Sequence, residues 1–514
     1  MPADLATALY TTANVRRIDR AAIDQHGIAS YSLMQRAARA AFALLRRRWP
    51  RARRLCLLVG QGNNGGDALL LGELARHAGL EVVAVTIFDD ADETTGEDHA
   101  RAHAAFVEAG GGLISPSTFS ALPDADVIVD GLFGTGLNRA IDGFAASLIE
   151  QVNASEHDVL ALDIPSGLDA DSGCCLGPTL RAQATISFVA WKRGLFTAAA
   201  SDQCGDLELA LLDIPAAARS AIAPDARLLD ERIDLLLSAR MHDSNKGDFG
   251  HVLAIGGDRG MAGAIRMTGE AALRVGAGLV TIATRSEHAQ VLNSARPELM
   301  VRSVDDPQSL SALLDHASVV ALGPGLGQSA WAHALWDSAL RADRTCVMDA
   351  DALNLLARAP LPLPKNAVLT PHPGEAARLL GVDTKQVQAD RYGSVRELAV
   401  RYKAVVVLKG AGTLIADPDG HVAVCPWGNP GMASAGMGDV LTGVIAGMMA
   451  QGLSPWDAAR LGVAVHGRAG DLAAGKRPRG LIASDLFDPL RTLVNSEPVN
   501  ADLVNADSAD KTGK

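Results

Sequence analysis

Short apolar runs alternate with longer stretches in which apolar residues recur every three or four positions. Residues 15–48 show the longer spacing, with Leu33, Met34, Ala37, Ala41 and Leu44 on one helical face. Apolar runs at 55–59, 81–88, 127–130, 159–163 and 185–188 read as strands, with helical stretches such as 68–78 and 97–109 between them. This alternation predicts an α/β chain with mostly parallel strands covered on both faces. Residues 212–232 carry Pro215, an alanine-rich run and Pro224, and read as a linker. A second series follows, with strands at 252–255, 279–283, 319–322, 346–348, 367–369 and 404–408. Residues 413–416 and 422–425 flank Asp417-Pro418-Asp419-Gly420 and predict a β-hairpin. An apolar helix is predicted over 440–449, and the polar tail from residue 498 is expected to be disordered.

Composition narrows the class. A chain of 514 residues is too long for one core, so more than one domain is expected. Apolar residues make up 48% and charged residues 21%, as in an ordinary globular enzyme. A net charge of −12 argues against nucleic-acid binding. The six cysteines form no CxxC pair, which fits free thiols in a reducing cytoplasm. No signal peptide is read at the N-terminus, and the apolar run at 440–453 is too short to span a bilayer, so no membrane partner is expected.

The glycine turns carry the chemistry. The string GQGNNG at 60–65 fits GxGxxG between a strand and a helix, the setting of a dinucleotide site, with Asp89 a possible ribose ligand. Asp67 stands where a pyrophosphate would sit, and Asn63 and Asn64 add amides that such a loop does not need. That composition suits hydroxyls, an amide or a monovalent cation. Strings VDGLFGTGL at 129–137 and LDIPSGL at 162–168 close two further strands. Carboxyl ends of parallel strands line a ligand crevice, so Asn64, Asp130 and Ser166 can converge on a cation while Asp163 serves as an acid or base. Lys192 either faces that crevice or is a surface charge.

In the second half, GPGLG at 323–327, TPHPGE at 370–375 and KGAGT at 409–413 each follow a strand. A glycine out of place costs about 0.5–1 kcal/mol, so glycines at this many strand ends point to a binding crevice. Lys409 and the amides after it suit a phosphate. Residues 428–440, GNPGMASAGMGDV, lead into the apolar helix. A helix N-terminus binds phosphate through unpaired amides. A carboxylate there, Asp439, repels phosphate unless it takes a proton from a hydroxyl beside it. His372 between two prolines is either structural or a ligand at a strand end.

NNGGD, GLFGTGL and DIPSGL together resemble the YjeF N-terminal family of NAD(P)H-hydrate epimerases over about residues 10–215. The resemblance implies a Rossmann-like three-layer αβα domain over residues 1–220. It implies that Asn63, Asn64, Gly65, Gly66, Asp67, Gly134, Thr135, Gly136, Leu137, Asn138, Arg139 and Ala140 hold the hydrated dinucleotide. Asp163 would bind it and act as acid/base, and Asn64, Asp130 and Ser166 would bind potassium. Residues 235–495, with KGDFGHVLAIGG, GPGLG, TPHPGE, KGAGT and NPGMxxxGMGDVLTG, resemble the YjeF C-terminal NAD(P)H-hydrate dehydratases of the ribokinase-like superfamily. A second αβα domain over 221–497 is implied, ahead of the tail at 498–514. Ala264, Gly325, His372 and Asp439 would contact hydrated dinucleotide, and Lys409, Gly410, Ala411, Gly412, Thr413 and Gly438 the adenine nucleotide.

The implied activity is bifunctional repair of hydrated NADH and NADPH. One domain epimerises the R and S hydrates, and the other dehydrates the S form with ADP and Mg2+, giving AMP and phosphate. The catalytic set is Asp439, Asp163 and Lys409. Hydrated NAD(P)H and ADP are the expected partners, and a cytoplasmic homo-oligomer is expected. The rival readings are a hydroxymethylpyrimidine- or hydroxyethylthiazole-type kinase fused to a Rossmann-like binding module, and a first half acting only as a scaffold.

Overall fold

The computed structural model describes residues 6–89 and 96–495. The tail expected to be disordered lies outside them. Two compact units divide between Arg227 and Leu228, beyond the boundary expected after residue 220.

The N-terminal unit is built on seven strands: β1 (Arg54–Val59), β2 (Glu81–Thr86), β3 (Gly112–Ile114), β4 (Val127–Gly131), β5 (Asp158–Leu162), β6 (Ala184–Phe188) and β7 (Asp206–Ala210). Their spatial order is β3-β2-β1-β4-β5-β6-β7, and every pairing is parallel. Strands buried on both faces favour apolar residues at successive positions, which is why β1 after Arg54 and β4 up to Asp130 read as apolar runs. The order reverses between β1 and β4. At such a switch the chains leaving the two strands turn to opposite faces and leave a crevice at the carboxyl edge.

The C-terminal unit repeats the plan with β8 (His251–Ile255), β9 (Leu279–Thr284), β10 (Met300–Ser303), β11 (Val319–Leu322), β12 (Cys346–Met348), β13 (Ala367–Leu369), β14 (Val405–Leu408), β15 (Thr413–Ala416) and β16 (Val422–Cys425). The order is β10-β9-β8-β11-β12-β13-β14-β15-β16. Pairing is parallel up to β14, and the last three strands run antiparallel, with β15 and β16 forming the predicted hairpin. Here the switch lies between β8 and β11. Helix Met437–Ala450 is apolar on all sides and almost wholly buried, as expected of a helix inside a core. It packs on helix Ala262–Arg274, closely enough that a Cβ on Gly443 would lie 2.1 Å from the Thr268 carbonyl oxygen.

The helices read over residues 15–48 are Thr12–Asp24 and Ser30–Arg48, parted around Gly27, whose φ is +68°. Two expectations change. The NNGGD string is not a turn before a helix but its first turn, because helix Asn63–His77 starts at Asn63. The supposed linker is structured, with helix Ala216–Ser220 and strand Ala226–Leu228, and Ala218, Ile222 and Ala226 are buried.

Candidate functional sites at the two switch points

A cavity of about 800 Å³ opens at the N-terminal switch. Gln61, Asn63, Asn64 and Asp67 line it from one side, and the loop after β4 lines it with Gly134, Thr135, Gly136, Leu137, Asn138, Arg139 and Ala140. Asp163 reaches it from the end of β5. Gly65 and Gly66 do not line it. A Cβ on Gly65 would lie 1.9 Å from the Gly60 carbonyl oxygen, so this glycine lets the helix start directly against the end of β1. Asp89 is absent from the lining and accepts the Ser117 amide at 2.8 Å.

Asp163 sits just past β5 with φ of +66°, a left-handed conformation that L residues avoid and that recurs at functional sites. Its amide donates to Ile186 O at 2.7 Å, which ties the turn to β6. Lys192 pairs with its carboxylate and also donates to Ser187 Oγ at 3.1 Å and Phe188 O at 2.7 Å. This lysine is 1% exposed, so it is a cavity-floor cation and not a surface charge. Asp67 lies within the first helical turns, almost buried, and burial together with Asp163 and Asp19 holds it well above the usual carboxyl range.

Behind the cavity, Asp130 is fully enclosed in β4. Its oxygens accept from Ser166 Oγ at 2.6 Å, Ser166 N at 2.7 Å and Leu132 N at 3.2 Å. Burial pushes it up to about 6 despite these bonds. Asn64 donates through Nδ2 to Phe133 O at 3.2 Å, while its Oδ1 is shielded from water and has no partner among the described residues. Ser166 Oγ accepts the Phe133 amide at 2.9 Å. The set therefore brings Asn64, Asp130 and Ser166 together around Phe133, all oxygen donors with one formal charge. An orphaned amide oxygen beside a buried carboxylate fits a weakly hydrated monovalent cation.

The C-terminal site gathers on three elements. Gly436, with φ of +92°, opens the helix whose first turn carries Asp439. Burial and the neighbouring Asp349 push Asp439 up to about 7, against the pull of Lys409. Lys409 leaves β14 and donates to Asp349 Oδ1 at 2.6 Å, with Glu375 Oε2 at 3.8 Å. Thr442, one turn after Asp439, donates to Asp349 Oδ2 at 3.0 Å. Gly438 lies in the same knot, since a Cβ there would stand 3.3 Å from both Asp349 Oδ2 and Lys409 Nζ.

Thr268 links the helix pair, donating to Asp439 O at 3.0 Å and Ala264 O at 3.2 Å. A Cβ on Gly325 would lie 3.1 Å from the Ala264 Cβ, so these two expected contacts adjoin at the switch. His372 is first a helix cap. Its Nδ1 accepts from the amides of Gly374 at 3.0 Å and Glu375 at 3.4 Å. An accepting Nδ1 leaves the proton on Nε2, which lies 3.4 Å from Glu375 Oε1.

Sequence reasoning missed Asp349, Glu375, Asp19 and Arg391. Arg391 is 1% exposed and lies under the KGAGT loop. It donates to Leu408 O and Lys409 O at 3.3 Å and to Gly412 O at 3.5 Å. Holding the loop carbonyls on one side leaves the Gly410, Ala411 and Gly412 stretch shaped by a buried cation. Ser434 Oγ, in the turn before Gly436, is shielded and has no partner among the described residues.

Residues 252–491 match the family described as NAD(P)H-hydrate dehydratase, and residues 30–194 match that described as YjeF-related protein N-terminus. The bifunctional NAD(P)H-hydrate repair enzyme Nnr of Coxiella burnetii is 46% identical over 491 residues, covering 95% of this chain and 100% of that protein. The Nnr protein of Escherichia coli strain K12 is 43% identical over 497 residues, covering 96% of each. A crystal structure of ADP/ATP-dependent NAD(P)H-hydrate dehydratase from Bacillus subtilis, co-crystallised with ATP/Mg2+, is 32% identical with a TM-score of 0.47, covering 51% of this chain and 95% of that one. With each half matched by its own family and relatives aligned along nearly its whole length, this chain belongs to the bifunctional NAD(P)H-hydrate repair enzymes.

Proposed function

We propose that the chain repairs hydrated NADH and NADPH at two separate sites. The unit ending at Arg227 interconverts the R and S hydrates, and the unit from Leu228 returns the S hydrate to NAD(P)H at the expense of ADP. Asp439 carries this reading: a carboxyl titrating near neutrality in the first turn of a buried helix, beside an anchored lysine.

Hydroxide is a poor leaving group, and phosphate is a good one. Asp439 takes the proton of the ring hydroxyl as its oxygen attacks the terminal phosphorus of ADP and AMP departs. Lys409, the amides of Gly436 to Gly438 and the unpartnered hydroxyl of Ser434 stabilise the charge on the transferring group. Phosphate then leaves, a proton is lost from the adjacent ring carbon, and the ring double bond returns. Ala264, Gly325 and His372 contact the hydrated dinucleotide, and Lys409 to Thr413 with Gly438 hold the adenine nucleotide. Magnesium on the nucleotide neutralises phosphate charge, and Asp349 and Glu375 are the carboxylates beside Lys409 that would face it.

In the N-terminal cavity Asp163 acts as an acid/base in the interconversion of the two hydrates at the hydroxyl-bearing carbon. Asn64, Asp130 and Ser166 bind potassium, whose charge supports ionised Asp130. The test supplies mixed epimers of hydrated NADH with ADP or ATP and follows reduced-nicotinamide absorbance. Wild type consumes both epimers. Asp439→Asn stops recovery while interconversion persists, and Asp163→Asn leaves one epimer behind. Removing potassium slows interconversion and leaves dehydration of the S form intact. No recovery with either nucleotide would sink the assignment.

A further inference from the structure

Asp19, on helix Thr12–Asp24, lines the N-terminal cavity together with Asp67, Asp163 and Lys192. Among the described residues the carboxylate that Lys192 pairs with is Asp163. Asp19 and Asp67 have no side-chain hydrogen bond among the described residues, although both lie against the cavity. Other charged groups on the lining are Arg16 from the same helix and Arg139 and Asp142 from the loop after β4. Burial pushes Asp19 up to about 6, with Lys192 opposing and Asp163 reinforcing the shift. The cavity thus holds one carboxylate tied to an ammonium and two untied carboxyls, Asp19 and Asp67, of which Asp19 lies at about 6.

Epimerisation sets two demands at the hydroxyl-bearing carbon. The departing hydroxyl needs a proton as its C–O bond breaks, and the water that adds to the other face must lose one. A ring held in one pose presents those faces to different walls. We propose that Asp19 is the second acid/base group of the epimerase, working opposite Asp163, an inference that rests on the epimerase reading of this cavity. In one direction Asp19 protonates the hydroxyl, which leaves as water. The lone pair of the neighbouring ring nitrogen forms the C=N bond. Water adds to the opposite face, its proton passes to Asp163, and the C=N pair returns to nitrogen. Conversion of the other epimer runs the same steps with the roles exchanged, so one proton shared between the two carboxyls serves both directions.

The full-length chain is assayed for interconversion without nucleotide, with the two hydrates separated chromatographically. Asp19→Asn is expected to slow interconversion about 100-fold, with the substrate KM nearly unchanged. Wild-type rate is expected to fall as pH rises through the titration of Asp19, and the variant to lose that limb. Asp19→Glu retains part of the rate, and formate restores Asp19→Ala. Dehydration of the S hydrate by each variant reports an intact C-terminal unit, and an unchanged circular dichroism spectrum and thermal transition report an intact N-terminal one. A wild-type rate in Asp19→Asn overturns the proposal, as does a slow variant that keeps the pH limb and ignores formate. Asp163→Asn runs in parallel. If it also keeps full rate, the epimerase reading of the cavity fails, whereas a silent Asp19→Asn beside a dead Asp163→Asn removes the Asp19 role alone.

Discussion

Asp439 owes its proposed role to neighbours that set its proton affinity. Burial and Asp349 raise it, Lys409 lowers it, and the balance lies near 7. A base must be ionised to act, so dehydration should accelerate as pH rises through about 7 and level off above it. Asp349→Asn removes an anion and frees Lys409, and both changes favour ionised Asp439, so the midpoint moves down. Lys409→Met removes the opposing cation and moves it up. The pH profile of kcat for the S hydrate checks both directions, and shifts of the same sign in the two variants would contradict the assignment. Asp439 and Lys409 were legible in the sequence because a carboxylate at a helix start and a lysine before glycines are unusual. Asp349 was not, since its meaning lies in meeting Lys409 across 60 residues. Lys192 was ambiguous because sequence carries no measure of burial for a lone lysine.

At the scale of elements, the central strands were read correctly and several edge strands were not. β3, β7 and β10 lie at the margins of their sheets, where one side faces solvent and the apolar run breaks down. The NNGGD string misled for the opposite reason. Its glycines look like a turn, but Gly65 serves close approach of the helix to the end of β1 and Gly66 makes room for Met34 of the preceding helix. The KGAGT loop was recognised, while the buried guanidinium beneath it was invisible. Arg391→Met should leave the Leu408 carbonyl at the strand end and the Lys409 and Gly412 carbonyls of the loop without this donor and loosen the nucleotide seat. A rise of about tenfold in the KM for ADP is expected, with kcat less affected, the size of one lost hydrogen bond. Steady-state kinetics at saturating S hydrate measure it. An unchanged KM would mean that the loop holds its shape without this cation.

Across the whole molecule, each proposed site is complete within one unit: Asp19, Asp67, Asp163 and Lys192 before Arg227, and Asp349, Lys409 and Asp439 after Leu228. Full-length Asp163→Asn and Asp439→Asn proteins, each deficient alone, should therefore consume both epimers when mixed. Absorbance recovery from the mixture, compared with each variant at the same total concentration, tests this. A mixture no better than its parts would require a site built from both units. Among the described residues no helix is long and apolar enough to cross a membrane. The sequence by itself determined the α/β class, the two-part organisation and the strings that carry Asp163, Lys409 and Asp439, because strand and helix periodicity and glycine turns are local properties. Only the tertiary structure decided which carboxyls are buried, which cation each one meets and that Asp19 shares a cavity with Asp163. Proton affinity depends on solvent exclusion and on charges brought close by folding, and neither is written at any single position of the chain.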